Sequence, residues 1–314
     1  MLKNAGSAKA LILTHNPVMK RLLIIGSGDV ALRAIPLLAR RHRIYALVRN
    51  PEQREKLRAL GVIPVLGDLD DRKRLSRIAG LAHAVLHLAP PPNEGPHDTR
   101  TRNLLSVLSR GRLSGRMVYI STSGVYGDCG GAWVSETHPL NSTSPRSQRR
   151  VEAEIQVRNW ARRNRVNACI LRVPGIYAAD RLPLGRLQQG TPAIIDSEDS
   201  YTNHIHADDL AHICVAALRY GKPCRVYHAS DDSHLKMGKY FDSIADAFGL
   251  PRVPRISRSE AQHMLSPMLL SFMNESRRMT NTRMKLELKV ELRYPTVADA
   301  LSSDAFKNSV HPPA

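Results

Sequence analysis

The first residues of this chain whose types and spacing indicate a chemical role are two glycines. They stand in Gly26-x-Gly28-x-x-Ala31, directly after the apolar run 22–25 and before apolar residues at helical spacing. In such a unit one glycine makes the turn, the second lets a pyrophosphate approach the backbone, and the small third residue lets the helix pack closely. The free N–H groups at the helix start then bind the phosphates. We therefore expect a dinucleotide to bind at Gly26, Ser27, Gly28, Asp29 and Val30; an ordinary turn without a ligand is the alternative.

The next predicted strand ends in a basic residue. Residues 43–48 have a strand pattern and are followed by Arg49, about 20 positions beyond the glycines. NAD-binding proteins usually carry an Asp or Glu at this place, which accepts a hydrogen bond from the ribose 2′-hydroxyl. A guanidinium suits a 2′-phosphate instead. The sequence therefore favours NADP over NAD, and a solvated surface arginine is the alternative.

Three later strand ends carry polar or turn-forming residues, namely Asp68-Leu69, Leu88-Ala89-Pro90 and Ser121-Thr122-Ser123. In an open parallel sheet, ligands bind outside the carboxyl ends of the strands. We therefore place the first two of these segments on the cofactor side of the sheet. The third segment gathers hydroxyl groups at the end of its strand.

The composition limits the class of protein and of partner. A chain of 314 residues with 42% hydrophobic residues can bury a full core, and 46 Lys and Arg against 28 Asp and Glu give a net charge of +18, which suits a small anionic substrate. The positive charge is spread out, without the long basic block typical of a nucleic-acid binder, and no apolar run reaches the roughly 20 residues of a membrane span. The spacing of the four cysteines indicates neither a metal site nor disulfides, so we expect a cytoplasmic protein.

Several motifs in this order resemble the extended short-chain dehydrogenase/reductase superfamily, and more narrowly its NAD-dependent epimerase/dehydratase branch. They are the glycine motif, Asp68-Leu69, Ser121-Thr122-Ser123-Gly124-Val125-Tyr126-Gly127, Leu171-Arg172-Val173-Pro174-Gly175-Ile176-Tyr177 and His204-Ile205-His206-Ala207-Asp208-Asp209-Leu210-Ala211. The resemblance implies an α/β fold, a Rossmann-type doubly wound parallel sheet with a small C-terminal substrate lobe. The domain organisation that follows is an N-terminal extension over 1–18, a dinucleotide-binding domain over 19–175, and a mixed region over 176–314 that holds the substrate lobe and the last elements of the sheet.

The resemblance also implies catalytic residues, and here the sequence departs from the family pattern. Thr122 takes the place of the catalytic hydroxyl, whereas the usual Tyr-x-x-x-Lys pair is replaced by Arg146 and Arg150. Because an arginine does not release its proton in a protein, neither residue can be the general base. Arg150 is expected to bind the cofactor ribose or a phosphate, Arg146 an anionic substrate group, and Pro174 the cofactor.

Other groups must then move the proton if a reaction takes place. Tyr126, or Thr122 through a water molecule, are the first candidates, and Tyr177, Cys129 and His206 are weaker ones. Each has a structural alternative, because loop tyrosines usually pack and a histidine in such a motif usually orients a turn.

The main functional hypothesis is an NAD(P)-dependent oxidoreductase or epimerase/dehydratase-like enzyme, which acts on a polar, phosphorylated or nucleotide-linked metabolite. The alternative is a catalytically silent dinucleotide-binding sensor or scaffold. An apolar spacing predicts a helix from Gln148 to Arg163, and the resemblance implies that this helix and the one from Thr99 to Arg110 form a homodimer interface. Packing of both helices on their own sheet is the other possibility.

Overall fold

The structure is a computed structural model that describes residues 19–111, 115–304 and 306. The predicted N-terminal extension lies outside the described residues. The strands are β1 (Lys20–Ile25), β2 (His42–Val48), β3 (Ile63–Leu66), β4 (Ala84–His87), β5 (Arg116–Thr122), β6 (Trp133–Val134), β7 (Asn167–Val173), β8 (Gly175–Tyr177), β9 (Ala193–Ile194), β10 (His204–His206), β11 (Val226–His228), β12 (Arg255–Ile256) and β13 (Arg278–Met279). The helices are α1 (Asp29–Ala39), α2 (Gln53–Ala59), α3 (Thr99–Leu108), α4 (Pro145–Asn164), α5 (Leu184–Gln188), α6 (Ala207–Tyr220), α7 (Met237–Ala247), α8 (Arg258–Met264), α9 (Pro267–Met273), α10 (Thr282–Leu288) and α11 (Val297–Ser302).

Seven parallel strands form the central sheet, in the order β11-β7-β5-β4-β1-β2-β3. The chain first moves outward from β1 to β2 and β3, and then returns to β4 on the other side of β1. This reversal of strand order opens a crevice at the carboxyl end of β1, which is where such sheets bind ligands. The predicted doubly wound parallel sheet is confirmed.

The residues of β1 show why helices cover both faces of the sheet. Leu22 and Ile24 pack into one core with α1, α6 and α10, whereas Leu23 and Ile25 pack into a second core with α3 and α4. All four side chains are fully buried. A continuous apolar run of this kind is typical of a parallel strand that is covered on both faces.

The region after residue 175 contributes to two parts of the molecule. β11, α6 and α10 return to the central sheet, while α5, α7 and α11 surround a separate core that contains Tyr177, Phe241 and Val297. Three short parallel pairs, β8 with β10, β9 with β12 and β6 with β13, lie outside the central sheet. Among the described residues, no helix is long and apolar enough to cross a membrane.

Helix α4 begins earlier than its apolar spacing predicts. The expected start was Gln148, but the helix starts at Pro145, and Ser144 caps it by accepting a hydrogen bond from the Ser147 N–H at 3.2 Å. A Ser cap followed by Pro at the first helical position is a helix-start signal that apolar periodicity does not contain. The extra turn places Arg146 on the same helix as Arg150, one turn before it.

Candidate active site

The glycine turn after β1 is shaped by the neighbouring strand. Gly26 has a φ of +96°, and a Cβ on it would lie 2.6 Å from the Ala89 backbone nitrogen. The N–H groups of Leu88 and Ala89 donate to the Ile25 carbonyl oxygen at 2.7 and 3.0 Å. The first glycine is therefore required for the close contact between the ends of β1 and β4.

Gly28 has different surroundings. It is the N-cap of α1, with a φ of −82° and no side-chain hydrogen bond to the cap, and a Cβ on it would meet no atom within 4 Å. The first turn of α1 thus begins beside open space. This is the room that a pyrophosphate needs on the N–H groups of a helix start, so the residues present fit a dinucleotide.

Asp29, the acidic residue of the glycine motif, forms ion pairs with two arginines. Asp29 accepts from Arg33 at 2.9 Å and from Arg181 at 3.0 Å, and Arg33 also reaches Asp208 at 2.7 Å. Both arginines reduce the negative charge that Asp29 places beside the open helix start. Arg181 was not predicted, because it follows β8 and reaches the turn only in the folded chain.

The residues expected to contact the adenosine end lie on adjacent strands. Arg49 follows β2 and is exposed, while Leu69 after β3 is buried. Arg100 holds Asp70 through three hydrogen bonds of 2.9, 3.1 and 2.7 Å. These bonds, followed by the charges of Arg100 and then Arg49, lower the pKa of Asp70, so Arg49 lies close to this pair. Asp68 accepts from the Asp70 N–H at 3.0 Å, which shapes the loop after β3.

Thr122 and Arg150 meet at the end of β5. Arg150 donates to the Ile120 carbonyl oxygen at 2.9 Å and to the Tyr119 hydroxyl at 3.1 Å. The Thr122 hydroxyl accepts from the Gly124 N–H at 3.3 Å and caps the short 3₁₀ helix that follows. Thr122 also pairs with Val173 of β7, which places Pro174 at the same edge of the sheet. The structure therefore brings the predicted Thr122, Arg150 and Pro174 together.

Two more charged residues reach this edge from the C-terminal region. Arg277 is 7% exposed and donates to the Gly127 carbonyl oxygen at 2.7 Å, and its guanidinium pairs with Glu275 at 2.9 Å. The pKa of Arg146 is lowered by its partial burial and by the charge of Arg150, and Glu275 opposes this shift. Arg146, Arg150 and Glu275 therefore lie near one another. No short motif around residues 275–277 signals this position.

Tyr126, a candidate proton donor, lies buried in a polar network. The side chain is 0% exposed, and its hydroxyl bonds to Arg172 at 2.7 Å and to the His228 Nε2. Burial raises the pKa of Tyr126 to about 12. Arg172 is in turn held by Glu154 at 2.7 and 3.0 Å, so the tyrosine belongs to a buried structural network.

The three weaker candidates are also held in structural positions. His206 caps α6 by accepting from the Asp208 N–H at 3.2 Å, and burial lowers its pKa. Burial raises the pKa of the Cys129 thiol and of Tyr177, whose hydroxyl donates to the Thr296 carbonyl oxygen at 3.4 Å.

A family model matches residues 34–229 and describes the NAD-dependent epimerase/dehydratase family. The chain belongs to this family. A solved structure of a functionally unknown conserved protein from Silicibacter pomeroyi has a TM-score of 0.75 and 30% identity, and the match covers 92% of this chain and 98% of that one. The family model begins at residue 34, after the glycine turn. The support for a dinucleotide at this turn therefore comes from the geometry of Gly26 and Gly28.

Two further proteins are similar to this chain. A curated relative from Stigmatella aurantiaca, named a 4-hydroxy-2-methyl-3-oxo-4-farnesyl-3,4-dihydroquinoline-1-oxide ketoreductase, is 30% identical over 39% of this chain and 39% of its own length. The dTDP-glucose 4,6-dehydratase of Bacillus anthracis, solved in complex with NAD, has a TM-score of 0.73 at 15% identity and covers 93% of this chain and 97% of its own. At that identity the second match shows the fold alone.

Proposed function

We propose that this protein is an NADP-dependent oxidoreductase or epimerase/dehydratase that acts on a polar, anionic metabolite, phosphorylated or nucleotide-linked. The observation that carries the proposal is the uncapped start of α1 at Gly28, which lies beside open space at the reversal of strand order. Gly26, Ser27, Gly28, Asp29 and Val30 would hold the pyrophosphate there. When bound, the nicotinamide cofactor supplies hydride exchange, and the protein supplies placement and charge.

The preference for NADP is supported by Arg49. The residue is exposed at the carboxyl end of β2, and the nearby carboxylate of Asp70 is already paired with Arg100. A free-standing carboxylate at this place would repel a 2′-phosphate, whereas a guanidinium attracts it. Asp68, Leu69, Leu88, Ala89 and Pro90 would form the rest of the adenosine site.

At the nicotinamide end, we propose that the protein acts mainly through the positive charge of its arginines and less through proton transfer from its own side chains. Arg146 and Arg150 would replace the Tyr and Lys of the family and stabilise negative charge that develops on the substrate oxygen. Thr122 is partly buried at the end of β5, and its hydroxyl would relay the proton through water. The name of the Stigmatella ketoreductase supports reduction of a carbonyl group.

Turnover tests this function directly. NADPH oxidation and NADP reduction are followed at the nicotinamide absorbance across a panel of sugar nucleotides, phosphorylated carbonyl compounds and oxo acids. We expect activity with a member of the panel and its loss in Thr122→Ala. Cofactor binding without turnover on any panel member would favour the second hypothesis, a catalytically silent sensor. The replacement of the family's Tyr and Lys by Arg146 and Arg150 supports that alternative.

Arg49→Glu tests the choice of cofactor. We expect it to weaken NADPH binding by about tenfold or more and to leave NADH binding within about twofold, because one charge-assisted hydrogen bond to the 2′-phosphate is lost. Nicotinamide fluorescence measures both affinities. Arg43→Glu is the matched control, since Arg43 is exposed on the same strand and at the opposite end. An equal effect of Arg49→Glu on both cofactors would contradict the assignment.

A further inference from the structure

The connections at the amino ends of the central strands carry positive charge and no acidic residue. In a parallel sheet, the segments that lead from a helix into the next strand all lie at this end, opposite the candidate active site. They are residues 40–41, 60–62, 79–83, 109–115, 165–166 and 221–225. Six of their described residues are Lys or Arg, namely Arg40, Arg41, Arg110, Arg165, Lys222 and Arg225. We call this end of the molecule the basic end.

The connections at the carboxyl ends of the strands have a different composition. The loop after β3 contains Asp68, Asp70 and Asp71, and Asp70 pairs with Arg100 at 2.7 Å. Positive charge at that end is therefore accompanied by acids. The net charge of +18 is spread along the chain, but the fold gathers cations without acids at the end that faces away from the candidate active site.

Most of the cations in the basic end have no carboxylate partner. Every Asp and Glu of the chain lies among the described residues. One of them, Glu287, reaches the basic end and pairs with Lys222 at 3.4 Å and with Arg225 at 2.6 Å. The other four cations form no ion pair within the described part of the chain, namely Arg40, Arg41, Arg110 and Arg165. Negative charge from another molecule would supply what the chain itself lacks here.

Helix dipoles explain only part of this positive charge. The C-terminus of a helix carries a partial negative charge, which a nearby cation offsets. However, α4 carries Arg162 and Arg163 in its last turn and Arg165 directly after it. Lys20 and Arg43 lie at the starts of β1 and β2, and strands have only small dipoles. Like charges gathered at one end repel one another, so a bound polyanion would stabilise this arrangement.

The side chains of the basic end are suited to a row of phosphate groups. Five of the six residues are arginines, whose planar fork binds phosphate through two hydrogen bonds. The connections contain no Phe, Tyr or Trp on which an unpaired base could stack. Among their described residues, Leu60 is the one exposed large apolar side chain, which is too little to insert into a lipid surface. These features favour a double-stranded nucleic acid over a single strand or a membrane.

We propose that the basic end binds the phosphate backbone of a double-stranded nucleic acid without reading its sequence. From β11 to β2 the sheet spans five strand spacings, which is about 24 Å. A duplex rises about 3.4 Å per base pair, so this width faces about seven base pairs. The binding surface is separate from the proposed dinucleotide site, because the two lie at opposite ends of the same strands.

Fluorescence anisotropy of a labelled DNA duplex of about 20 base pairs tests the proposal with the full-length protein, between about 50 and 200 mM salt. The logarithm of the affinity should fall against the logarithm of the salt concentration with a slope of about −4 or steeper, because each neutralised phosphate contributes about −0.9. A variant that combines Arg40→Gln, Arg41→Gln and Arg43→Gln removes three exposed cations of the basic end. We expect it to bind about tenfold more weakly at the lower salt concentration and to reduce the magnitude of the slope by about 2–3.

The matched control removes three exposed cations at the opposite end of the strands. Arg72, Lys73 and Arg74 begin the 3₁₀ helix that follows β3, and their joint replacement by Gln lowers the net charge equally. It should leave duplex binding within about twofold. Equal losses in the two triple variants would overturn the proposal, because net charge alone would then explain the binding. Arg110→Gln with Arg165→Gln, after α3 and α4, should reduce the magnitude of the slope by about 1–2 and does not depend on an intact α1.

Competing ligands give the remaining outcomes. Tighter binding of a single strand of the same length, or of phosphatidylcholine vesicles that contain phosphatidylserine, would contradict the assignment of the partner, and so would a lack of duplex binding at about 50 mM salt. Saturating NADPH should leave duplex binding within about twofold, whereas displacement of the duplex by NADPH would place the duplex at the cofactor crevice and overturn the proposal. A protein that binds the duplex as expected but does not bind NADPH would count against the proposed function alone.

Discussion

Tyr126, four residues after the predicted reacting hydroxyl of Thr122, is part of a buried hydrogen-bond network. Its neighbour His228 has a pKa lowered to about 3 by burial, so the ring is neutral. The His228 Nδ1 contacts the Thr280 carbonyl oxygen at 2.8 Å and donates to it, which leaves Nε2 to accept from Tyr126. The tyrosine hydroxyl in turn accepts from Arg172. The hydroxyl also lies 3.2 Å from the Ser135 carbonyl oxygen, so several buried polar groups hold Tyr126 in place.

Tyr126→Phe tests this structural role. It should lower the free energy of unfolding by about 1–3 kcal/mol, because a buried hydrogen bond to a charged group is lost and His228 is left without its donor. Turnover should stay within about twofold. Urea denaturation measures the first effect and steady-state kinetics the second, with Tyr45→Phe on β2 as the control. Loss of turnover without loss of stability would identify Tyr126 as the proton donor after all.

The turn between β1 and α1 contains two glycines with different roles. Gly26 is needed by the protein, because its φ is positive and the Ala89 backbone leaves no room for a Cβ. Gly28 is not needed by the protein, since its backbone is extended and a Cβ would meet open space. The proposed dinucleotide would account for this second glycine, since it lets a pyrophosphate approach the backbone.

Alanine substitutions distinguish the structural role of Gly26 from the proposed binding role of Gly28. Gly28→Ala should leave the thermal unfolding midpoint nearly unchanged and weaken NADPH binding by about tenfold or more, because the added methyl group occupies the pyrophosphate space. Gly26→Ala should destabilise the fold by more than about 1–2 kcal/mol, since an L-residue at positive φ is strained even before the contact with Ala89. Thermal denaturation and nicotinamide fluorescence measure the two effects. Unchanged NADPH binding in Gly28→Ala would argue against a dinucleotide at this turn.

At the scale of the whole molecule, the C-terminal region completes a site that begins in the first strand. Arg181 reaches the glycine turn from the segment after β8, and Glu275 and Arg277 reach the end of β5 from a segment after α9. The central sheet thus presents the glycine turn, and later segments of the chain reach both that turn and the end of β5. A groove on the outer side of α3 and α4 lies apart from this site and is lined in part by Leu105, Ile155 and Trp160.

We propose that this outer face forms the homodimer interface implied by the family resemblance. Ile155 is 52% exposed there, which is unusual for a large apolar side chain on a charged helix. Ile155→Glu is expected to shift the protein from dimer to monomer, because a buried unpaired charge opposes association. Light scattering after size-exclusion chromatography measures the mass, with Leu286→Glu, at a residue 74% exposed on α10, as the control. A wild-type protein that is monomeric at all concentrations would contradict the proposal.

The sequence by itself determined the parallel sheet, the glycine turn and most of the helix that carries Arg150, because each depends on residues that are close together in the chain; the first turn of that helix, which carries Arg146, was missed. It also indicated that Thr122 and Pro174 lie at one edge, since strand ends in a parallel sheet share that edge. Only the tertiary structure decided that Tyr126 is buried and that Arg277, paired with Glu275, contacts the loop after Thr122. The burial and the electrostatic surroundings of a residue depend on segments that are distant in the chain, such as residues 275–277. A local sequence pattern does not indicate which distant segment will pack against that residue.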